Sequence, residues 1–318
     1  MHNCEWHTKP FASAVIFHSC ALFTMSSASQ RAQLRRLGFC GADDSVDPDL
    51  MALISAQHPY VEWGVLFRPD LEGKPRYATP AWVDRLAAVK KTAGSCMRLA
   101  GHLCGARVPQ VLAGDSSFVQ EVAKKGFGRV QVNATAINGV DTSRLTEGAI
   151  GLRKAMLETP DVEWIVQLND ETRPLWDGLI AAGAPPNMSV LYDASCGTGV
   201  LASSFPAPHD TIPCGYAGGM GPDNIAQVLP GVAAAAAGRE VWVDMESSLR
   251  ATQDGNDVFS IDKCYRCIKN AAGLFVHVGD GASTPNQCGQ RGCRSWKAAS
   301  ISFALGVAAG LLVARIMK

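Results

Sequence analysis

The segment Ala217-Gly218-Gly219-Met220-Gly221-Pro222-Asp223-Asn224-Ile225 ends an apolar run in two glycines and passes almost at once into helical spacing. Glycines let the backbone come close to an anion, while a helix start offers free N–H groups and the positive end of its dipole. That chemistry is phosphate binding. His102, in Ala100-Gly101-His102-Leu103-Cys104-Gly105, carries an imidazole whose ordinary titration lies near neutral pH, making it a candidate substrate contact and an alternative base. Cys264-x-x-Cys267 and Cys288-x₄-Cys293 stand about twenty residues apart, near zinc-ribbon spacing. The first pair falls inside Ile261–Ile268, which reads as a helix, and cysteines one helical turn apart seldom form a ribbon knuckle. No zinc site is therefore expected there.

These groups need elements to hold them. Short apolar runs recur at Leu37–Cys40, Val61–Phe67, Met97–Leu103, Arg129–Asn133, Trp164–Leu168, Ser189–Asp193, Ile212–Ala217 and Val241–Asp244. Many are apolar at both parities, as parallel strands covered on two faces are. Between them lie helical faces: Trp82, Val83, Leu86 and Ala87; Leu175, Trp176, Leu179 and Ile180; Ile225, Val228, Leu229 and Val232. Phe259–Ile268 closes the series. Eight strand–helix units over 37–272 predict a (β/α)8 TIM barrel, with a doubly wound open sheet as the rival. A barrel gathers function at the C-terminal ends of its strands, here Cys40, Arg68, His102 with Cys104, Asn133, Asn169 with Asp170, Asp193, Gly218-Gly219 and Glu246-Ser247-Ser248. Ser247 and Ser248 then complete a phosphate cradle with Gly218 and Gly219, because loops after the last two strands are a recurrent phosphate site.

Five pieces in order resemble phosphoribosylanthranilate isomerase, a barrel of tryptophan biosynthesis. Leu37-Gly38-Phe39-Cys40-Gly41 is similar to the family's Lys-x-Cys-Gly opening, and Phe67 followed by Lys74-Pro75-Arg76-Tyr77 is similar to its Phe…Ser-Pro-Arg-Tyr. Leu191-Tyr192-Asp193 with Gly197-Thr198-Gly199 resembles Leu-Leu-Asp…Gly-Gly-Thr-Gly. Ala217-Gly218-Gly219 with Pro222-Asp223-Asn224-Ile225, and Val243-Asp244-Met245-Glu246-Ser247-Ser248, resemble Ala-Gly-Gly-Leu-x-Pro-Glu-Asn-Val and Val-Asp-Val-Ser-Ser-Gly. The resemblance implies an Amadori rearrangement of N-(5-phosphoribosyl)anthranilate to the 1-deoxyribulose phosphate product, without cofactor. It further implies Asp193 as acid, Cys40 as base, Arg76 at the anthranilate end, and Gly197, Gly199, Gly218, Gly219, Ser247 and Ser248 around phosphate. A thiolate at Cys40 would need a local positive field.

Two strand ends depart from that pattern. Val130-Gln131-Val132-Asn133-Ala134 replaces Val-Gln-Leu-His-Gly, leaving Asn133 as a substrate contact, and Glu246 stands where a phosphate-site serine is expected. Another sugar-phosphate enzyme on the same barrel, or a membrane-tethered barrel that binds a phosphorylated metabolite without turnover, are the alternatives.

The 318 residues carry 29 basic and 29 acidic side chains, without the basic excess that nucleic-acid binding draws on. With 47% hydrophobic and 18% charged residues the chain is too apolar for disorder. Eleven cysteines in so long a chain fit mostly reduced thiols in a cytoplasmic or organellar space. Residues 1–36, with Glu5 the sole acid, read as a disordered or targeting extension. A Gly-rich linker covers 273–297. Ala298–Ala314 is uncharged, with Lys297 before it and Arg315 and Lys318 after it, and is a candidate membrane anchor that leaves the barrel on the cytosolic side. Oligomeric state is not encoded in any of these features.

Overall fold

The computed structural model describes residues 33–193, 195, 199, 201, 204–272 and 276–277. Its strands are β1 (Gln33–Cys40), β2 (Val61–Phe67), β3 (Arg98–Leu103), β4 (Arg129–Val132), β5 (Glu163–Leu168), β6 (Met188–Asp193), β7 (Cys214–Ala217) and β8 (Glu240–Met245). Each is parallel to the next, and β1 closes the ring on β8 with Gly38 opposite Asp244 and Phe39 opposite Met245. This is the (β/α)8 barrel expected from the sequence. Apolar runs at both parities have their cause in this closure, since one face meets helices and the other meets the barrel interior.

The helices are α1 (Pro48–Gln57), α2 (Pro80–Ala93), α3 (Arg107–Leu112), α4 (Ser117–Lys124), α5 (Leu145–Glu158), α6 (Arg173–Ala181), α7 (Ile225–Ala236) and α8 (Ile261–Ala271). Two begin on clear stop signals for the preceding loop. Asp47 caps α1 by accepting from the Asp49 N–H, and Thr79 caps α2 by accepting from the Trp82 N–H, with proline in the first helical turn of each. Trp82, Val83, Leu86, Leu175, Leu179 and Val232 are buried as their spacing demands, whereas Ile180 is exposed.

Several bounds differ from the sequence reading. β1 starts at Gln33, inside the stretch assigned to an extension. The β3–β4 connection holds two helices, α3 and α4, and the described residues between β6 and β7 hold none. An antiparallel hairpin, β9 (Arg250–Gln253) and β10 (Asn256–Phe259), stands between β8 and α8, so Phe259 ends a strand and does not open the last helix. A two-residue strand, β11 (Val276–His277), pairs with Gln33 and Leu34.

Inside the ring, the lower layer is ionic. Arg129 is buried against Glu62 at 2.7 Å and Glu163 at 3.0 Å, and its guanidinium lies 4.3 Å from the Trp242 ring centroid. Ile165, Leu191 and Trp242 form a small apolar cluster of their own, separate from the large core between strands and helices. Above this plug the interior turns polar, which sets the position of the site.

Of the described cysteines, Cys40, Cys104, Cys214, Cys264 and Cys267 are free thiols, and Cys96 is disulfide-bonded. Cys264 and Cys267 point into the core from α8, while Cys288 and Cys293 lie outside the described residues. No helix among the described residues is long and apolar enough to cross a membrane. The candidate anchor at 298–314 lies outside those residues, as do 1–32 and, apart from 276–277, the linker.

Candidate active site

A cavity of about 420 Å³ opens at the C-terminal ends of the strands. Its wall includes Arg76, His102, Asn133, Asp193, Gly199, Gly218, Gly219, Ser247 and Ser248, so most of the residues singled out in the sequence share one space. Gly197 lies outside the described residues. Tyr77, Gln131, Gln167, Asp244 and Glu246 join the wall as well.

The glycine turn is built as a cradle. Gly218 and Gly219 have φ of 109° and 62°, a left-handed region that costs other residues energy. Asn224 locks the turn, accepting from the Gly221 N–H at 2.8 Å and donating to the Gly219 carbonyl at 2.8 Å. Its side chain is thereby used on the turn and makes no cap bond to α7. Ser248 donates to the Met220 carbonyl at 2.6 Å, tying the β8 loop to the β7 loop. Its hydroxyl braces the cradle instead of pointing freely at a ligand. The Ser247 hydroxyl accepts from Arg76 Nη1 at 3.4 Å.

Arg76 owes its place to a strained backbone. At φ 78° it sits in the left-handed region, and its N–H donates to Asp43 Oδ2 at 2.7 Å. The guanidinium then meets Glu246 and Asp257, each at 3.4 Å. Asp257 belongs to the unforeseen hairpin and pairs also with Arg250, which is buried against Asp43 at 2.9 Å and donates to the Gly41 carbonyl at 2.8 Å. The hairpin therefore holds Arg76 over the cavity through one ion pair, to Asp257, and Glu246 after β8 supplies the other.

Asp193 is buried at the end of β6 and accepts from Gln167 Nε2 at 2.6 Å, from the Ser195 N–H at 3.1 Å and from the Ser195 hydroxyl at 2.6 Å. Gln167 Oε1 is left buried without a hydrogen-bond partner, ready for a donor that enters the cavity. Asn133 accepts from Gln131 and donates to the Cys104 sulfur at 3.4 Å. Burial, with Glu62 and Glu246 nearby, pushes the Asp244 carboxyl up to about 8, so it holds a proton at neutral pH. Burial also raises Glu246, against the pull of Arg76.

Two candidates sit in surroundings that the sequence did not foresee. Cys40 is 1% exposed and absent from the cavity wall, its sulfur 3.2 Å from His102 Nδ1. Burial pushes its thiol well up and Glu246 adds to the rise, so the surroundings oppose the thiolate that a base requires. His102 reaches the wall, yet burial and Arg129 push it down to about 3, and it stays neutral where an ordinary histidine would titrate. Glu246, which departs from the resembled pattern, faces the cavity with its charge directed to Arg76.

The sequence reading passed over Gln167 and Asp244 as site residues, although alternation supplied the signal. Gln167 lies two residues after Ile165 on β5, and Asp244 two after Trp242 on β8, on the faces that line the barrel interior. Among the described residues no group of three or more His, Cys, Asp or Glu is arranged to hold a metal ion.

No family model and no curated protein matches this chain. Solved structures similar to it include the phospho-2-dehydro-3-deoxyheptonate aldolase (DAHP synthase) of Thermotoga maritima, 11% identical with a TM-score of 0.45, over 78% of this chain and 72% of that one. Another is KGPDC from Streptococcus mutans, solved as a ligand complex, at 9% identity and a TM-score of 0.38 over 77% of this chain and 100% of that one. A third is a GH113 β-1,4-mannanase, at 10% identity and 0.35, over 76% and 99%. The likeness is one of fold. The chemistry of the site rests on its own residues.

Proposed function

We propose that this barrel is a cofactor-independent isomerase that turns an aminoaldose phosphate into an aminoketose phosphate. N-(5-phosphoribosyl)anthranilate is the substrate that the sequence resemblance names. One observation carries the reading: two carboxyl groups in different hydrogen-bonding environments, a guanidinium and a glycine-serine cradle all face one cavity. Phosphate occupies the cradle of Gly199, Gly218, Gly219 and Ser247, and Arg76 meets the arylamine end.

The acid and base roles follow the observed environments. Asp244, protonated at neutral pH, gives its proton to the ring oxygen as the C1–O bond breaks and the nitrogen lone pair forms C1=N. Asp193, whose oxygens act as acceptors toward Gln167 and Ser195, removes the C2 proton. The resulting enolamine becomes the ketone when C1 gains a proton and the C2 hydroxyl loses one. Asp244 has then lost a proton and Asp193 gained one, and exchange with solvent resets both. Asp193 thus takes the base role that the resemblance gives to Cys40.

A second reading has its own support. Glu246 in the position of a phosphate-site serine, with Cys40 off the wall, favours a different sugar-phosphate reaction on the same barrel. Incubating the purified full chain with N-(5-phosphoribosyl)anthranilate, and testing growth rescue of a tryptophan auxotroph lacking this step, decides between them. Turnover with rescue supports the isomerase. Tight binding of ribose 5-phosphate without any turnover overturns it in favour of the second reading or of a non-catalytic binder.

A further inference from the structure

A close contact between two reactive side chains at the strand ends is one that the mechanism above does not use. Cys40 Sγ lies 3.2 Å from His102 Nδ1, bridging β1 and β3 across β2. The strand between them carries Gly64 at that level, and a Cβ there would stand 2.8 Å from His102 Nε2 and 2.9 Å from the Cys40 Cα. Glycine is what lets the imidazole lie over β2 with one edge on the sulfur and the ring at the cavity wall.

We infer that Cys40 is a positioning residue that fixes the His102 tautomer, so that His102 presents a neutral Nε2–H to an oxygen of the bound sugar. A neutral imidazole carries its single proton on one nitrogen, and the partner of the other nitrogen decides which. A thiol is the more acidic donor and imidazole nitrogen the stronger acceptor, so the proton between them sits on sulfur and Nδ1 accepts. Nε2 then holds the ring hydrogen and has no hydrogen bond to another described side chain. Burial keeps both partners neutral, reinforced by the positive charge of Arg129 near the imidazole and by Glu246 near the thiol, where the neutral Asp244 and Cys104 are the other titratable neighbours. His102 donates a hydrogen bond to a hydroxyl or carbonyl oxygen and transfers no proton, while Asp193 and Asp244 carry the protons. The identity of the acceptor as a sugar oxygen rests on the function proposed above; the tautomer does not.

Nitrogen NMR of the histidine-labelled full chain tests this directly. The expected spectrum has His102 Nε2 as the protonated, pyrrole-like nitrogen and Nδ1 as the unprotonated one, unchanged between about pH 5 and 8. An Nδ1–H tautomer, or a midpoint within that range, overturns the inference. Cys40→Ser, which keeps a donor, retains the Nε2–H form, and Cys40→Ala gives a tautomer mixture. In turnover, His102→Phe lowers kcat/KM about a hundredfold and Cys40→Ala about tenfold, with part of the loss in KM, and serine restores part of it. Titration with ribose 5-phosphate separates the two claims. A shifted Nε2 signal supports both, whereas a correct tautomer with no ligand response removes the sugar-phosphate reading alone.

Discussion

Replacing Asp244 with asparagine tests the acid assignment without altering shape. The carboxyl moves from an ordinary 3.8 to about 8 in the folded chain, a gap of about four pH units. At about 1.4 kcal/mol per unit the gap sets a ceiling of about 6 kcal/mol. Because Asp244 borders an open cavity, relaxation and water reduce this, and about 1–3 kcal/mol is expected. The sign follows from proton binding. Between the unfolded and folded values the native state holds the proton and the unfolded chain does not, so stability falls as pH rises from about 4 to about 8. Urea denaturation of wild type and Asp244→Asn at about pH 5 and about pH 8 reads the effect as a difference of slopes. Wild type loses stability over that interval by about 1–3 kcal/mol more than the variant does. The same group sets the alkaline limb of turnover, which declines through about 8 in wild type as the acid loses its proton. Identical pH dependence of stability in the two proteins would refute the reasoning, because it would mean that Asp244 ionises alike in both states.

Arg129→Met leaves the buried Glu62 with only the distant Arg36, while Glu163 keeps Arg35, and is expected to cost about 3 kcal/mol in chemical denaturation. The triple change of Arg129, Glu62 and Glu163 to apolar residues costs less than that single one. Gly219→Val places a β-branched residue at φ 62° in the cradle and is expected to abolish ribose 5-phosphate binding by calorimetry while the far-ultraviolet dichroism stays that of the barrel. Asp257→Asn frees Arg76 from the hairpin and raises KM several-fold with little change in kcat, measured by steady-state kinetics.

The barrel was legible because its strands are short, doubly apolar and evenly spaced, and because helix faces such as Ile225, Val228, Leu229 and Val232 repeat at the right interval. The hairpin at 250–259 was missed although Asp254-Gly255 is a strong two-residue turn signal, with φ of 51° and 80°. Its flanking strands, of four residues each, mix polar and apolar side chains with only Arg250 and Phe259 buried, so they lack the apolar alternation that marks a strand. Cys40 illustrates a different limit. Its place at the end of β1 was readable, but its depth and its nearness to Glu246 depend on β1–β8 register, which brings together residues some two hundred positions apart. The ionic layer under Trp242 likewise depends on strand pairing, since Arg129 faces Glu163 in the β4–β5 register and Glu62 reaches it from β2 across β3. The glycines after β7 were easier, since a local turn and the start of α7 define them without distant partners.

The central claim is that Asp193 and Asp244 move protons on a phosphorylated aminosugar held in one cavity. Turnover of N-(5-phosphoribosyl)anthranilate in deuterium oxide, followed by mass spectrometry and NMR of the product, examines it most directly. The account predicts a ketose carrying one solvent deuterium at C1, formed by wild type and slowed at least about a hundredfold by either Asp193→Asn or Asp244→Asn. Product formed at the wild-type rate by both variants, or no product from the wild-type chain, would contradict it.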